Sequence, residues 1–212
     1  RKKKIEQAAA FVHLVPLEAI AMTVHMQNLI AERQWAALID QFGNSDLLDL
    51  PFTQIGAAAF ARGQAHYTLK SGAKADADLR LALKFTSDTR MRMSILRTMG
   101  QNRELVLQND ALAMEAYRKI VDSKTNTGSA EFFTGLQGVA RLLSRGGNHR
   151  EALDVFNRVD INTLAGSWRP SMRLSHGQTL EAAGRKAEAI QAYRLVLSDE
   201  RASESHRRRA KD

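Results

Sequence analysis

Six histidines stand at positions 13, 25, 66, 149, 176 and 206, and no two are three or four residues apart. No helix face therefore presents the paired imidazoles that hold a zinc ion, and His66 and His176 read as packing or capping residues. Asp76 and Asp78 are two apart, so on a helix they point to different sides. That spacing predicts a solvated face, not a carboxylate pair for acid–base work. GxxxxGKS/T, GxSxG, HExxH and a spaced acidic calcium loop are all missing. With no cysteine there is no disulfide and no thiolate metal site. The reading is of a chain that is no enzyme, with no catalytic residue, metal or cofactor. What remains is amide chemistry: Gly63-Gln64, Gly100-Gln101 and Gly177-Gln178 repeat one dipeptide. A glutamine amide both donates and accepts, so a ladder of them suits pairing with a peptide backbone.

These dipeptides are spaced like a repeat. Alanines follow twelve or thirteen residues after each small residue, at 75, 113, 152 and 189, with intervals of 38, 39 and 37. They lead "ADADLRLAL", "AMEAYRKIV", "ALDVFNRV" and "AIQAYRLVL"; the third copy has Ala140 where the others have the glycine. A weaker first copy places Met26-Gln27 and Leu38 in the same slots. Five copies of one unit account for the chain, and such units bury their apolar faces only by stacking.

Each copy reads as two helices. Phe133, Leu136, Val139, Ala140 and Leu143 form one stripe, Gly146-Gly147 stops it, and Ala152, Leu153, Phe156 and Val159 form another. Gly72, Asn109-Asp110 and Gly184 mark the same turn elsewhere. The pattern predicts helix pairs near 17–45, 51–86, 90–122, 130–159 and 169–198, with Pro51 and Pro170 in first turns. The small residues are expected to let helices cross, Gly63 facing Ala75, Gly100 Ala113, Ala140 Ala152 and Gly177 Ala189. Leu79, Tyr117, Phe156 and Tyr193 would then fill the grooves between units.

At "GQTLEAAGRKAEAIQAYRLVL", "VARLLSRGGNHREALDVFNRV" and "GQAHYTLKSGAKADADLRLAL" the chain resembles the tetratricopeptide repeat family, over about residues 17–198. It departs from the family in its longer period of 37–39 residues and in lacking the closing proline. The resemblance implies an all-α, right-handed superhelical solenoid of about five antiparallel helix pairs. It also implies a non-catalytic scaffold that holds a segment of another protein in its concave groove. In the family the residue after the small one looks into that groove, here Gln27, Gln64, Gln101, Arg141 and Gln178. One turn on, the face carries Ile30, Tyr67, Glu104, Ser144 and Glu181, with Arg145 beside them; one turn back it carries Thr23, Phe60, Arg97, Gln137 and Leu174. The partner-binding set is thus Gln27, Gln64, Tyr67, Arg97, Gln101, Arg141, Arg145 and Gln178. The lysine–asparagine clamp of some family members is absent. The competing reading is that glutamine is a good helix former at a wet position.

Bulk composition agrees with a helical globular chain: 44% hydrophobic, 25% charged and three prolines in 212 residues. A repeat array of this length should behave as one elongated domain. Three segments are expected: a basic lead-in at 1–16, repeats at 17–198, and a basic helix or tail at 199–212. No run is long and apolar enough to span a membrane. The compartment stays open between cytoplasm and periplasm, with tethering through a segment outside this chain as a further option. The formal charge of +8 is concentrated: "RKKK" carries four positives and "HRRRAKD" three net, which leaves one for the rest. Terminal tufts of this kind are read as solvated ends. Two alternatives to the scaffold follow. One is nucleic-acid or anionic-surface binding through those tufts; the other is a regulatory repeat region of a longer chain.

Overall fold

A computed structural model describes residues 17–123 and 127–211; the expected lead-in at 1–16 lies outside them. Among the described residues there are eleven α-helices, three short 3-10 turns and no strand. The helices are α1 (Leu17–Ala31), α2 (Trp35–Phe42), α3 (Phe52–Thr68), α4 (Gly72–Lys84), α5 (Thr89–Leu105) and α6 (Asp110–Val121). They continue as α7 (Ala130–Arg145), α8 (His149–Asp154), α9 (Trp168–Ala182), α10 (Lys186–Leu197) and α11 (Glu204–Arg209). Two helices occupy each of the five expected spans, with ends within three residues of the expected bounds once the 3-10 turn after Asp154 is counted. The second helix of the fourth pair tightens after Asp154 into a 3-10 turn, Val155–Arg158. Pro51 is the residue before α3, and Pro170 the third residue of α9.

The chain packs as two compact units, Arg1–Asn109 and Asp110–Asp212. The first contains α1 to α5 around Met26, Leu38, Leu47, Ala58, Ala65, Ala75, Leu79 and Ile95, all inaccessible or nearly so. The second contains α6 to α11 around Tyr117, Ile120, Leu136, Ala152, Met172 and Val196. The third expected pair divides between them, Gly100 in the first and Ala113 in the second.

Contacts at the glycines show that packed neighbours run antiparallel. A Cβ on Gly63 would meet Leu79, and one on Gly56, earlier in α3, would meet Phe85, beyond the end of α4. In the second unit Gly138 lies opposite Tyr117 and Gly135 opposite Ile120 and Val121. Gly177 lies opposite Tyr193, while Leu174 clusters with Val196 and Leu180 with Ala189. The expected small-on-small crossings are corrected here. Gly63 faces Leu79 and Gly177 faces Tyr193, sixteen residues on, not the alanines twelve residues on. The turn centre decides this: Gly63 lies eight residues before Ser71, so its partner lies eight residues after. A large side chain therefore sits directly on each glycine, and a Cβ on Gly177 would stand 2.6 Å from the Tyr193 ring.

The turns repeat more faithfully than the residues that form them. Left-handed backbone occurs at Arg33, Lys70, Gln108, Gly147 and Gly184, at intervals of 37, 38, 39 and 37. The next residue opens a helix with nearly one geometry: φ −85°, ψ 57° at Gln34; −85°, 64° at Ser71; −83°, 55° at Asn148; and −83°, 57° at Arg185. In those four turns its N–H donates to the carbonyl five residues back, from Gln34 to Leu29, Ser71 to His66, Asn148 to Leu143 and Arg185 to Leu180. This closes the helix in a Schellman-like turn. In the third turn Asn109 reaches six back, to Arg103, so one extra residue is accommodated. The assignment of Gly72 and Asn109-Asp110 as stops is corrected too: Lys70 and Gln108 carry the positive φ. Gly72 instead begins α4, where a Cβ would stand 2.8 Å from both Leu107 and Val106.

Candidate functional site

In the first unit the predicted face is carried by α1, α3 and α5. Gln27 is exposed, while Gln64, Tyr67, Arg97 and Gln101 are half-buried. Burial pushes the Tyr67 hydroxyl pKa up; Arg97 pulls it down and Glu104 pushes it further up. Tyr67, Arg97 and Glu104 are therefore electrostatic neighbours on α3 and α5. The Lys70 ammonium lies over the Tyr67 ring at 5.5 Å from its centre, a cation–π contact at the end of that face.

In the second unit the predicted positions open into a cavity. Gln137, Ala140, Arg141 and Ser144 of α7 and Ser175, Gln178 and Thr179 of α9 line a space of about 130 Å³. The Gln137 amide donates to Ser171 Oγ (2.9 Å) and Ser175 Oγ (3.0 Å), tying α7 to α9. Arg141 and Gln178 are exposed, whereas Ser144 Oγ is buried and makes no hydrogen bond. A buried hydroxyl at a cavity wall is a group that a polar ligand would satisfy. Arg145 points its guanidinium at Asp110, 2.7 Å away, in an exposed ion pair.

Beside this cavity, sharing Gln178, lies an open groove of about 660 Å³ lined by Glu181, Ile190, Tyr193, Arg194, Leu197, Arg209 and Lys211. The Tyr193 hydroxyl donates to Glu181 at 2.7 Å, and burial with this bond pushes its pKa up. Of the groove's residues the repeat register reached only Gln178 and Glu181; Ile190, Arg194, Leu197, Arg209 and Lys211 were not selected. The available signal was Ile190, an apolar residue one place after the register alanine.

The two aspartates are not on a solvated face. Asp78 is buried and takes a bidentate pair from Arg62 of α3 (2.9 and 2.8 Å); Asp76, also buried, pairs with Arg103 of α5 at 2.7 Å. They do point to different sides, so α4 is pinned to both neighbours. Burial is tolerated because each charge is matched and hydrogen-bonded. His66 is buried beside Asp78, with Nε2 at 3.8 Å, and desolvation holds its pKa below the ordinary value. His176 packs on Phe156, ring centres 5.0 Å apart, and is likewise held down by burial. Both are packing residues, as expected.

The C-terminal tuft is partly built into the fold. Arg207 donates to the carbonyls of Ala202 and Asp199, both at 3.2 Å, and Ala210 joins a buried cluster with Leu174 and Val196. Asp199 itself is buried and receives Arg169 (2.6 and 2.9 Å) and Arg173 (3.2 Å). Among the described residues no cluster of three or more histidines, cysteines or carboxylates could hold a metal, and no helix is long and apolar enough to cross a membrane. Comparison with family models, curated proteins and solved structures finds no match to this chain.

Proposed function

We propose that the chain is a non-catalytic interaction scaffold, a tetratricopeptide-like solenoid that holds a segment of another protein on the face formed by its first helices. The observation that carries this reading is the cavity between α7 and α9. Four positions chosen from the repeat register alone, Gln137, Arg141, Ser144 and Gln178, line one space. The two helices in every expected span and the recurring left-handed turn support the repeat itself. Amide, hydroxyl and guanidinium groups are the donors and acceptors an extended peptide needs, and peptide grooves of repeat arrays commonly use such faces.

The test is isolation of a bound protein from native extract, then titration of its bound segment against variants. Gln64→Ala, Gln101→Ala and Gln178→Ala together should leave helicity and melting intact, since alanine is at least as good a helix former. Affinity should fall, each lost neutral hydrogen bond contributing about 0.5–1.5 kcal/mol. Arg141→Ala should weaken an acidic segment more. The competing reading, binding through the basic ends, calls for removal of residues 1–4 with Arg208→Gln, because Arg207 and Ala210 belong to the fold. Unchanged affinity in the triple variant, with loss in the end-neutralised one, would transfer binding to the termini.

A further inference from the structure

One arginine fastens the connection between the first two helix pairs. Residues 43–50 lead from α2 toward α3, and Leu47 alone among them is buried. Arg62 of α3 holds the start of this connection. Its Nη1 donates to the carbonyls of Phe42 (3.2 Å) and Ser45 (2.7 Å). Its Nε and Nη2 donate to the two carboxylate oxygens of Asp78 on α4, at 2.9 and 2.8 Å. A bidentate carboxylate fixes the plane of a guanidinium, and that plane aims Nη1 at the two carbonyls. Asp78 thus holds the connection through Arg62.

His66 stands one turn further along α3, on the same side as Arg62. It is 4% exposed, and its Nε2 lies 3.8 Å from Asp78 Oδ2, the oxygen that Arg62 Nε already uses. That distance is too long for a hydrogen bond. The other ring nitrogen, Nδ1, is buried and makes no hydrogen bond. Packing explains the burial of the ring but not an orphaned nitrogen beside a carboxylate. The charged groups that act on the ring are Asp78 and Lys74 of α4 and Arg62 of its own helix. Desolvation outweighs the pull of Asp78, and both cations push the same way as desolvation, so the ring is held neutral below its ordinary pKa. The other buried aspartate of α4 differs. Asp76 pairs with Arg80 (3.2 Å) and Arg103 (2.7 Å), neither of which titrates near neutrality.

We infer that His66, Asp78 and Arg62 form a proton-operated latch on the 43–50 connection. Neutral His66 leaves Asp78 to Arg62, and the connection stays closed. A proton on the ring sets two cations against one carboxylate in a desolvated site, which is costly. The imidazolium competes for Asp78 Oδ2, and Arg62 is the member with a way out, because the carbonyls it holds belong to a surface connection. Release of Arg62 frees Phe42 and Ser45. The direction with pH follows from linkage. Burial keeps the closed-state pKa of His66 below the open-state value near 6.5, so the opened form binds the proton more tightly. Closure is at full strength above pH 6.5 and weakens as pH falls below it, until the closed-state pKa is passed. The latch lies within the first unit and does not depend on the glutamine face proposed above.

Amide exchange on the full chain, corrected for its intrinsic pH dependence, reads the latch. The reporters are Gly43, Ser45 and Leu50, whose N–H groups donate to Ile39, Phe42 and Leu47. Between pH 7 and pH 5 their protection should fall about tenfold. Val106, which donates to Asn102 at the end of α5, should keep its protection over the same range. His66→Gln should flatten the profile. Arg62→Gln should lower protection already at pH 7 and leave little further fall. His25 is the other histidine near the connection, bonded to Gln41 at 2.8 Å and stacked edge-on against Phe42, and His25→Gln should leave the fall in place. The ring resonances of His66 in the wild-type protein give its titration midpoint whether or not a variant folds, and that midpoint should lie below 6.5. A midpoint at or above 6.5 overturns the latch, as does a fall that persists in His66→Gln or disappears in His25→Gln. An equal fall at Val106 also overturns it, by assigning the acid response to the whole unit.

Discussion

The two units solve one packing problem with different side chains. In the first, the second helix of a pair reads "ADADLRLAL", and its two buried aspartates clamp arginines of the helices on either side. In the second, the matching stretch reads "AIQAYRLVL": Ile190 stands for Asp76, Ala192 for Asp78 and Tyr193 for Leu79. There the pair is held by the tyrosine ring seated on Gly177, and the same occurs between α6 and α7 with Tyr117 on Gly138. Charge complementarity holds α3, α4 and α5 together; a tyrosine ring on a glycine holds the α6–α7 and α9–α10 pairs of the second unit. A matched charge pair is unforgiving of losing one member, whereas a ring on a glycine is unforgiving of added volume. The units should therefore respond to different substitutions. Trp35 and Trp168 lie one in each unit, so single-tryptophan variants can report on them separately.

The largest effect is expected from Asp78→Ala. It leaves the Arg62 guanidinium, 12% exposed, without its carboxylate, and breaking a buried pair costs about 3–5 kcal/mol. Urea melts followed at Trp35 should shift strongly; a shift of under about 1 kcal/mol would mean that the pair contributes little to the first unit. Overpacking comes next. Gly177→Leu should cost about 1–3 kcal/mol or more, seen at Trp168. Gly177→Ala should cost more than Gly63→Ala, because the added Cβ lies 2.6 Å from Tyr193 but 3.0 Å from Leu79. Equal costs at the two glycines would remove the contrast drawn between ring and aliphatic partners.

Acid should then separate the units' ends. The Arg169 hydrogen bond, helped by Arg201 N–H and Arg173, pulls the Asp199 pKa down to about 2 against the cost of burial. A carboxylate with a depressed folded pKa contributes stability above its unfolded value, near 3.9, and loses it as pH falls toward 2. Wild-type protein should lose α11 contacts in that window, measured by hydrogen exchange, and Asp199→Asn should have lost them already at neutral pH. A wild-type profile flat from pH 4 to 2 would contradict this. The smallest effect belongs to the turns. Gly184→Ala at φ +75° should cost about 1–2 kcal/mol. Lys70→Gly at φ +61° should be close to neutral, since relief of strain is offset by the freer unfolded chain. A larger loss for Lys70→Gly would point to its contact with Tyr67.

The helix spans and, to within two residues, the positions of the turns were legible in the sequence alone. These follow from local periodicity and from one repeated unit whose copies correct one another's ambiguities. The slot from Gln137 and Arg141 to Gln178 was legible for the same reason: a register position recurs whether or not its residue does. Tertiary structure decided what each residue faces. Asp76 and Asp78 look like solvent residues until Arg62 and Arg103 arrive from other helices, because burial of a charge depends on partners sixteen and twenty-seven residues away. Gly63 and Gly177 announce close packing, but the turn centre, not the alanine register, chooses the large residue that rests on them.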